Sequence, residues 1–108
     1  MNVATEQRGD FLVVSPAGRL DTNTAAAFEA ELMKLAGDSV NIIMDMSGLD
    51  FVSSAGLRVI LLLAKKNRAA KGKLRFAALQ DAVEEVFTMS GFSSMFSFFP
   101  SVDEALAG

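Results

Sequence analysis

Apolar positions along this chain alternate between short continuous runs and a three- to four-residue spacing, the signatures of strands and helices. Residues 3–7 read as an edge strand, and Gly9-Asp10 marks a hairpin. Phe11-Leu12-Val13-Val14-Ser15 is a β-rich run that Pro16 is expected to stop, and Gly18-Arg19-Leu20-Asp21 reads as a turn. Ala25, Phe28, Leu32 and Leu35 recur at helical spacing and predict a helix over 24–36. Asp21, Thr22 or Asn23 would cap it, and Gly37-Asp38 would end it.

Residues 40–46 form the strongest strand candidate, apolar enough to be covered on both faces. A long helix is predicted over 53–71 and closed by Gly72, a strand over 74–79, and a helix over 81–90 with Asp81 as cap and Glu84 in capping-box position. A last strand over 95–99 ends at Pro100. Ser101 caps a short helix, with Glu104 three residues on. The order β-β-α-β-α-β-α-β-α predicts one α/β domain over 1–108. Its sheet would be mixed but mostly parallel, with about five strands and about four helices.

Composition narrows the chemistry. With 51% apolar residues among 108, the chain can bury a core and is not disordered. Cysteine and histidine are both absent. Disulfides, thiolate metal sites, thiol nucleophiles and the commonest general base are therefore excluded together. A metal site would need carboxylates alone, and no loop has that spacing, so neither metal nor cofactor is expected. The net charge of −3 disfavours a nucleic-acid partner. Met1 to Asp10 lacks the pattern of a signal peptide, and the strongest apolar run, 59–64, is too short to insert in a membrane. A soluble, cytoplasmic protein is expected.

The most informative stretch is Asp45-Met46-Ser47-Gly48-Leu49-Asp50-Phe51-Val52-Ser53-Ser54-Ala55-Gly56-Leu57-Arg58-Val59. An apolar strand runs into a polar turn, which delivers two serines to the first turn of a helix. Backbone N–H groups and the helix dipole tolerate a phosphate there. No nearby residue would act as a base to make either serine a nucleophile, so the serine is read as acted upon. Ser53 is placed as the N-cap, with its oxygen receiving the N–H of Ala55 or Gly56. Leu57, Ile60, Leu61 and Ala64 form one stripe of the long helix, with Val59, Leu62 and Leu63 around the other side. So much apolar surface predicts an exposed patch near Ser54 for a partner. Arg58 lies one turn after Ser54.

This segment resembles the STAS domain, and within it the stand-alone bacterial anti-sigma factor antagonists. Their pattern is a strand ending Asp-x-Ser, followed by x-Leu-x-Phe/Tyr-x and Asp/Ser-Ser-Ser/Thr/Ala-Gly-Leu. Gly18-Arg19-Leu20-Asp21, Met89-Ser90-Gly91-Phe92 and the tail from Phe98 to Leu106 carry the resemblance across the rest of the chain. The resemblance implies a STAS-type fold and a partner switch. The unphosphorylated protein would bind an anti-sigma factor that is also a serine kinase and free its target. Phosphorylation at Ser54 would release it, and a PPM-type phosphatase would reset it. Ser53 stands where many members carry Asp, which leaves Ser53 as the lesser alternative acceptor. Asp21, Asp50, Ser53, Ser54, Gly56, Leu57, Arg58 and Leu61 are the expected partner-binding residues. No catalytic residue is expected, since the ATP belongs to the kinase. The protein is expected to be a monomer, with the apolar helix as the route to any weak dimer.

Other readings of the same residues compete. Some STAS domains are adaptors of membrane transport complexes for lipids or anions, which do not switch. A small hydrolase using Ser54 is opposed by the missing histidine and the lack of a Gly-x-Ser-x-Gly elbow. Asp45 resembles a receiver acceptor, but a role bonding the turn suits it better. Gly56 is small either to let a kinase approach or because glycine is cheap in a first turn. Lys65, Lys66, Arg68, Lys71 and Lys73 either complement the helix dipole or bind an acidic partner. Phe92, Phe96, Phe98 and Phe99 are read mostly as core, with Met89 and Met95 as gap-fillers.

Overall fold

The computed structural model describes residues 1–37 and 39–108. Its elements are β1 (Asn2–Arg8), β2 (Phe11–Leu20), α1 (Ala25–Ala36), β3 (Asn41–Asp45), β4 (Leu49–Val52), α2 (Ser54–Ala69), β5 (Lys73–Ala77), α3 (Asp81–Met89), a 3₁₀ turn (Ser93–Met95), β6 (Ser97–Phe99) and α4 (Val102–Ala107). The sheet runs β1-β2-β3-β5-β6, and β4 adds to the far end of β2. Among the described residues, only the β1–β2 hairpin is antiparallel; the other pairings are parallel. The α/β fold with four helices and a mostly parallel sheet agrees with the sequence pattern, with six strands in place of about five.

One face of the sheet carries α1, α2 and α3. Phe28 and Leu32 of α1, Ile60 and Leu63 of α2, and Val83 and Phe87 of α3 meet Ile42, Met44 and Phe76 in one core. The opposite face is covered by α4, whose Ala105 packs on Val13, Ile43 and Ala77. Alternate residues of β3 therefore enter different cores, as its continuous apolar run predicts. α4 is capped by Ser101, whose hydroxyl accepts from the amide of Glu104 at 3.1 Å. It is also tied by the guanidinium of Arg75, which donates to the Ala105 carbonyl at 2.6 Å.

The structure departs from the sequence reading at several boundaries. β2 does not stop at Pro16 but continues to Leu20, absorbing the expected turn. Its ladder to β3 ends at Val14, and its ladder to β4 begins at Gly18. Pro16 lies in the gap, where a missing N–H costs no parallel-ladder bond. β4 is an additional strand within the segment read as a turn. α2 ends at Ala69, with Lys71 rather than Gly72 taking the left-handed conformation at φ 59°. Gly72 instead approaches the Val40 carbonyl so closely that no Cβ fits.

α3 is not capped by Asp81. Gln80 occupies the cap position without a side-chain cap bond, while Asp81 and Glu84 lie in the first turn, where carboxylates suit the dipole. The last strand is shorter than expected, because 93–95 turns as 3₁₀. Among the phenylalanines, the fully buried rings are Phe76 and Phe87. Phe96 and Phe98 pack against them at centroid separations of 4.9–5.9 Å but, like Phe92 and Phe99, remain half-buried. Met89 is 78% exposed and fills no gap. The amide of Gly37 bonds the Met33 carbonyl at the end of α1, and the paired expectation for Asp38 lies outside the described residues.

Candidate functional site

The serine turn is assembled at the C-terminal ends of the parallel strands, where α/β sheets leave their open crevice. Asp45, the last residue of β3, organises it. Its Oδ1 accepts from the amide of Ser47 at 3.1 Å, and its Oδ2 accepts from the Ser15 hydroxyl at 3.5 Å. The side-chain amide of Gln80 donates to the Ser47 carbonyl at 2.8 Å, which explains why Gln80 does not cap its own helix. The Gly18 amide donates to the Gly48 carbonyl at 2.9 Å. Contacts from β2, β3 and the head of α3 thus fix the turn, and Asp45 bonds it as its sequence position suggests.

β4 then carries the chain to α2. Gly18 pairs with Leu49 but Arg19 pairs with Phe51, so Asp50 is the extra residue of a bulge. A bulge re-aims a side chain, and Asp50 is exposed. The Arg19 guanidinium stacks over the Phe51 ring at 4.2 Å, with its Nε 3.9 Å from Oδ2 of Asp21. Asp21 also accepts through Oδ1 from the amides of Asn23 and Thr24, at 2.9 and 3.1 Å, and so shapes the entry to α1. The Ser53 amide donates to the Leu20 carbonyl at 2.8 Å, locking the start of α2 to the end of β2.

The two serines differ. Ser53 has an extended backbone and is the N-cap of α2, its hydroxyl accepting from the Gly56 amide at 3.2 Å. Ser54 is the first helical residue and is exposed, and its hydroxyl has no partner among the described residues.

The remaining site residues separate by helical phase. Arg58 is exposed, one turn below Ser54. Gly56 and Leu57 are buried, and Leu61 is half-buried against the core. Gly56 is glycine for a reason outside both sequence readings: a Cβ there would lie 2.5 Å from Cγ of Leu20 and 2.9 Å from its carbonyl oxygen. Leu62, at 38% exposure, is the apolar residue that continues the Ser54–Arg58 face; the sequence pattern puts it on the other side of the helix from the Leu57 stripe and does not place it among the partner-binding residues. Its i, i+4, i+8 spacing with Ser54 and Arg58 was the available signal. Asp21, Asp50, Ser53, Ser54 and Arg58 lie around one end of the molecule, whereas Leu61 lies further along α2. No group of three acidic residues among those described could hold a metal ion.

The family model described as "STAS domain" matches residues 2–105. The chain belongs to the STAS domain family. BtrV of Bordetella bronchiseptica, which carries the name of an anti-sigma factor antagonist, is 35% identical over 99% of this chain and 93% of its own length. An anti-sigma factor antagonist from Mycobacterium paratuberculosis shares the fold with a TM-score of 0.87 and 25% identity, covering 98% of this chain and 91% of its own. The Bacillus cell-fate determinant SpoIIAA in its phosphorylated form matches with a TM-score of 0.73 and 20% identity, covering 98% and 97% of the two chains. Among the described residues, no helix of this STAS domain is long and apolar enough to cross a membrane.

Proposed function

We propose that this STAS domain is an anti-sigma factor antagonist governed by phosphorylation of Ser54. The unphosphorylated form binds an anti-sigma factor serine kinase, and the phosphorylated form lets go until a PPM-type phosphatase restores it. The chain is then a substrate and a ligand, and the ATP is the partner's. The observation that carries this reading is the division of labour between the serines: Ser53 is engaged as the cap, while Ser54 presents a hydroxyl with no partner among the described residues at the exposed head of α2. The similarity to BtrV supports the class of partner.

A phosphoserine adds roughly −1.5 to −2 charge. At an exposed helix N-terminus that charge is favourable by about 0.3–1 kcal/mol, so the modified domain stays folded. At an interface the same phosphate loses water and gains no matched cation. A penalty of ~3 kcal/mol weakens binding roughly a hundredfold. The switch therefore works by desolvation and repulsion at the surface formed by Ser54, Arg58, Leu62 and the exposed Asp50.

The test is capture from the native cells with wild type, Ser54→Ala and Ser54→Asp as baits. The proposal expects the kinase with wild type and Ser54→Ala, and its loss with Ser54→Asp. A membrane ATPase captured equally by all three would replace it with the transport-adaptor reading.

A further inference from the structure

Away from the serine turn, a groove of about 280 Å³ lies between the second half of α2 and the connection from α3 to β6. Leu61 and Ala64 form one wall; Phe92, Met95 and Phe96 form the other. Met95 is 48% exposed, and both rings are only half-buried, so the fold leaves this apolar surface uncovered. A second cleft of about 310 Å³ continues from it past Arg68 toward Lys71 and Leu74. The two share Ala64, Arg68, Met95 and Phe96 and make one elongated trough.

Its charge is one-sided. Lys65 and Arg68 line the first cleft and Arg68 and Lys71 the second, and no carboxylate among the described residues lines either. None of these three cations forms an ion pair among the described residues, although the chain as a whole is acidic at −3. Helix-dipole complementation accounts for cations in the last turn, Lys66 and Arg68. It does not extend to Lys65, which precedes the last turn, and Lys66 turns away to donate to the Gly37 carbonyl at 3.4 Å.

We propose that this trough is a binding site for a single-chain anionic amphiphile, a carboxylate with a medium-length alkyl tail. The tail lies between Leu61, Ala64 and the Phe92–Phe96 wall, and the carboxylate meets Arg68, flanked by Lys65 or Lys71. The size favours one tail: the first cleft is near the lower end of ligand pockets, ~300–1,000 Å³. Charge complementarity selects the head, because a cationic head would meet three like charges. The site is independent of Ser54 and stands whether or not that residue is phosphorylated.

The test is an NMR titration of the full chain, labelled in methyl groups and backbone amides, with decanoate kept below its micelle-forming concentration. Decyltrimethylammonium, with the same tail and the opposite charge, is the control. The proposal expects saturable shifts at Leu61, Ala64, Phe92, Met95 and Phe96, and little response to the control. Arg68→Glu should weaken binding at least about tenfold. Ala64→Phe, which fills the groove, should abolish it, with folding of both variants verified by their backbone spectra. No saturation into the millimolar range, equal binding of the cationic amphiphile, or undiminished binding by folded Arg68→Glu would overturn it.

Discussion

Gly56 of α2 lies directly against Leu20 of β2, so closely that a Cβ at Gly56 would fall 2.5 Å from the Leu20 Cγ. Leu20 is fully buried, and its carbonyl holds the Ser53 amide. The approach of helix to strand therefore sets where both serines sit. Gly56→Ala gains up to about 1 kcal/mol of helix propensity but overpacks a site that costs about 1–3 kcal/mol. A net loss of up to about 2 kcal/mol is expected in urea unfolding, together with broadened amide signals at Ser53 and Ser54.

The two serines should separate cleanly in stability. Ser53→Ala removes the cap bond to the Gly56 amide and should cost about 1 kcal/mol. Ser54→Ala removes an exposed hydroxyl without a partner among the described residues and should change stability by less than about 0.5 kcal/mol. Chemical denaturation of the two variants side by side checks the order.

The exposed face of α2 is expected to contact the kinase. Arg58→Glu and Leu62→Ser should each weaken capture of the kinase by about tenfold or more, with stability changes within about 0.5 kcal/mol. The same substitution at half-buried Leu61 should cost stability first, because Leu61 packs against the core. Binding assays paired with melting curves distinguish the two.

Phosphorylation should leave the fold in place. Backbone NMR shifts between the phosphorylated and free forms are expected to be confined to the head of α2, the 45–50 turn and the ends of β2 and β4. Shifts spread across β3 and β5 would show that the switch acts by rearranging the sheet.

Most of the architecture is legible in the sequence because its strands and helices follow their own periods. The apolar run Ile42-Ile43-Met44 announces a strand buried on both faces, and Phe28 and Leu32 announce the buried side of α1. The failures arise where contacts between distant segments decide the structure. β4 has only four residues, two of them Asp50 and half-buried Phe51, and its parallel partner lies beyond Pro16, in a strand that the proline is expected to end. Such pairing is set by tertiary contact and leaves no period. Gln80 was invisible as a tether because its partner, the Ser47 carbonyl, is 33 residues away. The serine pair was readable: Ser53 followed three residues later by Gly56 has the spacing of a cap, and that cap forms. The reason for Gly56 was not readable, because Leu20 is distant in sequence and meets it only through the pairing of β2 with β4.

Site-resolved phosphopeptide mass spectrometry on the protein taken from its native cells tests the central claim most directly. The account predicts phosphate on Ser54 with Ser53 unmodified, and no phosphorylated species from cells carrying Ser54→Ala. Phosphate on Ser53, or a phosphorylated fraction that survives Ser54→Ala, would contradict it.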